Sequence, residues 1–388
     1  MRIRLPLSTG LVNHEMNPAG PLATGPGPSP RSRMAFAAAH VVLDPASAGL
    51  PRPVLDMDRT LKFRQRLWSL GLGVAEAMDT AQRGMGLDWE LAKELICQSA
   101  IEAGRGNALI AAGANTDQLA RGAAHTLEEV LSAYEEQCAF IENSGAQVIL
   151  MASRDLARWA RGANDYHFIY GRLLSQLKSP AILHWLGEAF DPELRGYWGD
   201  TGTGRSMETV LELISANRNK IDGIKVSLLD EHLEIEMRQR LPEGVRMYTG
   251  DDFHYPDLIR GDGRHFSHAL LGIFDGIAPA AAGALRALDC GDDKTYYEIL
   301  APTLPLSRHI FQAPTFQYKA GLVFLAYLNG YQDHFRMLGG LENTRPVTHF
   351  TELFVLADRA RLLMDPELAM ERMKGFLAAY SGCGGGSL

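Results

Sequence analysis

Four cysteines in 388 residues, Cys97, Cys138, Cys290 and Cys383, are too few and too scattered for a disulfide framework. They form no CxxC pair, which also argues against a thiolate zinc site and fits a reducing compartment. No apolar run reaches the roughly 20 residues needed to cross a bilayer. The first residues, "MRIRLPLSTGLVN", lack the apolar stretch of a secretory leader, so the expected location is the cytoplasm, with no membrane partner. There is no lysine-arginine block, and the formal net charge is -8, which removes any electrostatic reason to expect nucleic acid. No repeat of 20–50 residues is present.

What is there is an ordinary globular composition, 46% hydrophobic and 22% charged, on a chain long enough for a large core. Residues 1–33, rich in Gly and Pro, read as an irregular arm with at most a short hairpin. From there short apolar runs alternate with amphipathic stretches. The runs are 34–43, 72–78, 107–113, 146–152, 180–186, 221–227 and 245–250, with an eighth inside 263–274. They are nearly continuous rather than alternating, as expected of strands buried on both faces. Helical patterns between them include 58–70, 88–104 opening on Asp88 and closing on Gly104, 126–145 between Thr126 and Gly145, and 206–220. Eight such units over 34–291 predict an α/β fold, a (β/α)8 TIM barrel. Residues 292–380 read as a C-terminal helical extension and 381–388, "GCGGGSL" after Ser381 at their core, as a flexible tail. The apolar run "AGLVFLAYL" (320–328) offers more greasy surface than one helical layer needs, so a homo-dimer or homo-tetramer is expected.

In a TIM barrel, function sits at the C-terminal ends of the strands. Read in order, those ends present His40; Glu76 with Asp79 and Thr80; Asn115; Ser153 with Arg154; His184; Lys225 with Ser227; and Gly250 with Asp251 and Asp252. Strand ends meet solvent, and most polar residues there need no function. Lys225 is different, because the run "IDGIKVSLL" is apolar on both sides of it. Burial disfavours an ammonium and lowers its pKa from about 10.4 toward neutrality. The neutral amine attacks carbonyls and forms a Schiff base. His184, with an ordinary pKa of about 6.5, is a reasonable proton carrier beside an imine or, alternatively, a hydrogen-bonded core histidine. Asp251 and Asp252 read equally well as ligands of a substrate hydroxyl or as a helix cap. His40, Glu76, Asp79 and His184 are also chemically suited to a divalent metal, which is the alternative to a site without cofactor. Trp159, Trp185, Tyr197, Trp198 and Tyr255 could stack on a ring but are as easily core aromatics. The long Gly-rich connection 187–204 reads as a lid that sets specificity.

Several segments, in order along the chain, resemble the dihydrodipicolinate synthase and N-acetylneuraminate lyase family. "KIDGIKVSLLD" looks like its lysine strand, in which "GIK" carries the Schiff-base lysine. "MDTAQRGMGLDWE" is similar to its Gly-Thr-Thr-Gly-Glu loop, with Thr80 kept and Ala81 where a second threonine is usual. "IAAGANTDQL" resembles its Ala-Gly-x-Gly-Asn-x-Thr segment, "YTGDD" its Ser-Gly-Asp-Asp, and "YKAGLVFLAYLNG" a helix of its C-terminal bundle. The likeness covers roughly 34–360 and rests on order and spacing together. It marks the chain as a divergent, uncharacterised branch.

The resemblance implies a lyase, aldolase-like or dehydratase-like, acting on a small polar carbonyl compound such as a keto acid or sugar derivative. Lys225 would form the imine and His184 relay protons. Asp79, Thr80, Asn115, Arg154, Gly250, Asp251 and Asp252 would contact the substrate. Two departures qualify it. His184 stands where the family has a tyrosine, and Gly187, Glu188 and Ala189 occupy the place of its carboxylate-binding arginine. A metal-dependent isomerase or hydrolase, and a non-catalytic barrel that keeps the lysine as a relic, remain the competing readings.

Overall fold

The computed structural model describes residues 1–50 and 52–383. Ten strands form two sheets. An antiparallel hairpin pairs β1 (Arg2–Leu7) with β2 (Gly10–Glu15). The other eight, β3 (Ala35–Ala38), β4 (Gly73–Glu76), β5 (Ile110–Ala114), β6 (Gln147–Leu150), β7 (Ala181–Leu186), β8 (Ile221–Ser227), β9 (Arg246–Thr249) and β10 (His268–Leu271), close into a parallel barrel in sequence order. The TIM-barrel expectation is borne out, with helices following the barrel to the C-terminus.

Local chemistry sets the helix limits. The Asp88 side chain accepts from the Leu91 amide and starts Trp89–Gly106, which runs past the expected stop at Gly104 and ends on Asn107 in the left-handed region. Thr126 and Glu129 form a reciprocal capping box at the head of Leu127–Ser144, and Gly145 ends it at φ 90°. Apart from β8, which matches its run, the barrel strands are shorter than the apolar runs that announced them, so His40 lies beyond the end of β3.

Side chains alternate across each strand. Phe36, Ala38, Ala75, Ala111, Ile149, Ile182, Tyr248 and Leu270 fill the barrel interior as one buried cluster. Their neighbours, such as Ala37, Val74, Ala112, Leu183, Ile224 and Leu271, face the helices and join the main core. The same alternation turns His184, two residues past Ile182, and Lys225, its register partner on β8, toward the interior at the C-terminal end. It turns Glu76, next to Ala75, outward.

The first residues are more ordered than an irregular arm. The hairpin clasps the helix Val347–Arg359: Thr351 donates to the Pro6 carbonyl, and Asp358 accepts from the Asn17 amide at 2.9 Å and pairs with His14 at 2.8 Å. The last helix, Pro366–Cys383, reaches into the segment read as a flexible tail; the rest of that tail, 384–388, lies outside the described residues. The helix Lys319–Leu328 is buried along almost its whole length inside the chain. Its apolar surface is already used within the chain. No helix among the described residues is long and apolar enough to cross a membrane.

Candidate active site

The mouth of the barrel gathers two groups of residues. The first surrounds Lys225. Its side chain rises from β8 beside His184 of β7 and is 4% exposed. Among the described residues no carboxylate oxygen comes within 4.0 Å of its Nζ. The lysine passes directly over Gly250, where an added Cβ would lie 2.8 Å from Lys225 Cε, 2.1 Å from Ser227 Oγ and 2.7 Å from the Val226 carbonyl. Only glycine leaves that path open. His184 is fully buried; its Nε2 meets Ser227 Oγ at 3.1 Å and its Nδ1 has no hydrogen-bond partner.

Burial lowers Lys225 from 10.5, and the negative fields of Asp79 and Asp252 restore part of the loss. Burial carries Asp252 well above 3.8, against the amide of Ile273 at 2.9 Å and the field of Lys225. Burial is the largest influence on both, moving the amine down and the carboxyl up. Burial and the neighbouring Lys225 likewise push His184 well below 6.5, against the pull of Asp79, so the imidazole is neutral.

The second group joins the barrel to the C-terminal helices. Thr80 Oγ1 lies 2.6 Å from the Tyr318 hydroxyl, which in turn donates to Asp79 Oδ2 at 2.7 Å. Tyr318 has one proton and spends it on the carboxylate, so Thr80 donates to Tyr318. Burial alone would raise Asp79, but the charges of Lys225 and Lys319 and the Tyr318 bond hold it below 3.8. Asp79 lines a cavity of about 300 Å³ whose wall includes Asn115, Arg154, Met151, Leu186 and Asp191. Arg154 is tied to Asp191 at 2.6 Å and to Glu193 at 3.4 Å. Asn115 takes the Thr116 amide on its side-chain oxygen at 2.8 Å.

Three expected site residues are elsewhere. Glu76 faces outward and pairs with Arg64 through two 2.9 Å bonds, while also accepting from Ser99 at 2.7 Å and the Ala77 amide at 3.0 Å; both partners of the ion pair are fully buried. His40 Nδ1 meets Asp275 at 2.9 Å, and Arg64 donates to its backbone carbonyl. Asp251 accepts the amides of Phe253 and His254 and pairs with the His254 ring at 2.9 Å, a turn that precedes the helix Tyr255–Arg260 without capping it: the N-cap there is His254, which makes no side-chain cap bond. Of the four residues of the metal alternative, Glu76 and His40 are held in ion pairs away from Asp79 and His184, and no three His, Cys, Asp or Glu side chains gather as a metal site among the described residues.

The connection 187–204 is pinned rather than free. Trp198, fully buried at φ 74°, packs on Tyr166, Tyr170, Trp185 and Tyr197. Phe190 stands edge-on to Phe311 and Tyr318 at 6.3 and 6.0 Å. Trp185, Tyr197 and Tyr255 are thus core, not a stacking platform. The sequence reading passed over Tyr318 and Lys319. Lys319 carries only half of the signal that singled out Lys225: an apolar run follows it in "YKAGLVFLAYL" but none precedes it.

The family model described as "Protein of unknown function (DUF993)" matches residues 3–382. A search of curated proteins found no match. Among solved structures, the chain is similar to YagE from E. coli K12, a prophage protein of the dihydrodipicolinic acid synthase family in complex with pyruvate, at 14% identity and TM-score 0.67, covering 85% of this chain and 99% of that one. It is similar to dihydrodipicolinate synthase from Aquifex aeolicus, at 14% identity and TM-score 0.63, over 86% and 99%. A third, dihydrodipicolinate synthase DapA-2 from Bacillus anthracis, shares 15% identity and TM-score 0.60, over 88% and 98%. At these identities the likeness shows a common fold.

Proposed function

The chain belongs to the DUF993 family, and from that premise we propose that it is a Schiff-base-forming lyase, aldolase-like or dehydratase-like, acting on a polar keto acid or sugar-derived carbonyl compound. One observation carries the reading: Lys225 is buried at the barrel mouth with no ion pair among the described residues, and burial lowers its pKa. The pyruvate bound to a protein of the same fold supports it.

In this reading the Lys225 amine adds to the substrate carbonyl carbon. His184, neutral and with Nδ1 free, shuttles one proton from the new ammonium to the carbonyl oxygen, giving a neutral carbinolamine. Protonated Asp252 donates a second proton to that hydroxyl, which leaves as water, and a protonated imine remains. In an aldol cleavage, the substrate hydroxyl on the carbon β to the imine gives its proton to Thr80. Thr80 passes one to Tyr318, and Tyr318 passes one to Asp79, whose ionised state makes it the terminus. The adjacent carbon–carbon bond breaks, its electron pair moves toward the iminium nitrogen, and an aldehyde departs. The proton held by Asp79 returns along the same relay to the enamine carbon, and water then adds to the imine, giving one proton back to Asp252, before the carbinolamine collapses with His184 moving the last proton and frees Lys225. In this reading Asn115 and Arg154, which line a cavity together with Asp79, contact the rest of the substrate.

The test is reductive trapping. Incubation with pyruvate and a panel of keto acids and sugar-derived aldehydes, followed by borohydride, should leave a mass adduct on Lys225, and Lys225→Met should leave none. No adduct with any member of the panel, with wild type folded, overturns the reading in favour of a non-catalytic barrel.

A further inference from the structure

The 300 Å³ cavity holds one cation that the chemistry above does not use. Its wall comes from the segments that follow β4, β5, β6 and β7. Lys225 is not part of that wall; Asp79 is, and its field reaches the lysine. The cations of the wall, among the described residues, are the arginines Arg83, Arg121, Arg154 and Arg158.

Three of them face a carboxylate. Arg83 spends all of its N–H donors: on both oxygens of Asp117 at 2.7 Å, on Gln137 at 2.6 Å, and on the carbonyls of Ala77 and Gly113 at 3.3 and 2.9 Å. Arg154 is held by Asp191 at 2.6 Å and Arg158 by Glu193 at 2.9 Å. Arg121 has no carboxylate within 4.0 Å among the described residues. Its hydrogen bond among them runs from Nη2 to the Gly84 carbonyl at 2.8 Å. That bond ties the segment after β5 to the segment after β4 and holds the guanidinium at the wall, with its other N–H donors left over.

Asp117, Asp191 and Glu193 match the other arginines. Two carboxylates of the wall, Asp79 and Asp155, are left without one; Asp155 accepts from Thr116 Oγ1 at 3.1 Å. Their charge disfavours a phosphate dianion. A carboxylate brings a single charge and two oxygens, which a guanidinium fork fits in a bidentate pair.

We propose that Arg121 binds the carboxylate of an acid that enters this cavity, and so selects acids among the carbonyl compounds offered to Lys225. That the acid is the substrate rests on the Schiff-base reading; the anion site itself does not. Arg154 contacts the substrate in that reading too, but Asp191 already balances its charge.

Ligand-observed NMR titration with 3-hydroxybutyrate, which has no ketone to trap, and with neutral 3-hydroxybutyramide separates the two ideas. Wild type and Lys225→Met should prefer the acid. Arg121→Met should lose the preference, with acid binding weakened by about tenfold or more and amide binding unchanged. Arg121→Lys should keep part of the preference, and Arg154→Gln most of it. Arg121 is exposed, so its replacement leaves the fold intact; borohydride labelling of Lys225 by neutral acetone in Arg121→Met reports this directly. No acid binding to wild type at millimolar concentration, an unchanged preference in Arg121→Met, a preference lost in Arg154→Gln instead, or inorganic phosphate bound more tightly than the acid overturns the proposal. Acetone labelling that fails in wild type while the Arg121 dependence holds would remove the lyase and leave the acid site. Labelling that succeeds while the preference ignores Arg121 would do the opposite.

Discussion

At the scale of the residue, the site depends on what is kept small or empty. Gly250 is the clearest case, because an alanine there would press on a backbone carbonyl at 2.7 Å as well as on the lysine stem. A side chain can move aside; the Val226 carbonyl, which accepts the Gly250 amide at 2.8 Å, cannot do so without breaking the ladder. Gly250→Ala should destabilise the protein by about 1–3 kcal/mol and displace Lys225, lowering borohydride labelling far more than the stability loss explains. Urea unfolding and adduct yield, measured on the same preparation, check both parts. Near-normal labelling would mean the lysine has another route into the mouth. Lys225 was legible from sequence because one charge in an apolar run has few explanations. Glu76 misled because its strand is buried on both faces, and a continuous apolar run hides which parity faces inward.

At the scale of the element, the connection between β7 and the next helix behaves as a fixed wall. Phe190 and Trp198 anchor its two ends in the core, and Asp191 between them closes the cavity. Phe190→Ala should cost roughly 3–5 kcal/mol locally and raise amide hydrogen exchange over 187–202 while the barrel strands stay protected. The accompanying kinetic effect should fall on KM, since Asp191 and Arg154 shift together, and little on the rate of imine formation. Exchange that rises uniformly across the barrel would instead make the loop part of the global core. Its length and glycines were visible in the sequence; its anchoring was not, because the rings that hold it come from the helix Ala163–Gln176 and from Phe311 and Tyr318, more than a hundred residues later.

At the scale of the whole molecule, acid stability reports the buried neutral histidines. Burial lowers His268 from 6.5 to about 4, helped by the charges of Arg246 and Arg33, and its Nδ1 accepts the Met34 amide at 2.8 Å. The unfolded chain therefore binds this proton first as pH falls. The contribution is full above 6.5 and is lost as pH drops from there toward 4. Glu234, raised to about 8 by burial, works in the opposite direction over the same range, so the total slope is a poor measure of either group. The comparison of wild type with His268→Gln isolates one of them. Between pH 7 and 5, wild type should lose roughly 2 kcal/mol more than the variant in urea unfolding. Equal losses would mean His268 is protonated in the folded protein.

The sequence by itself determined the barrel, its strand order and the lysine at its mouth, because continuous apolar runs separated by capped helices have one economical way to close and an ammonium inside such a run needs a reason. The parity of each strand, the spending of Glu76, His40 and Asp251 on ion pairs and a local turn, and the burial of the helix Lys319–Leu328 were decided by the tertiary structure. So was the arrival of Tyr318 and Lys319 beside Asp79, which no local pattern encodes. Residues 239 positions apart meet there because the C-terminal helices fold back over the open end of the barrel, and chain closure of that kind depends on the packing of every element between them.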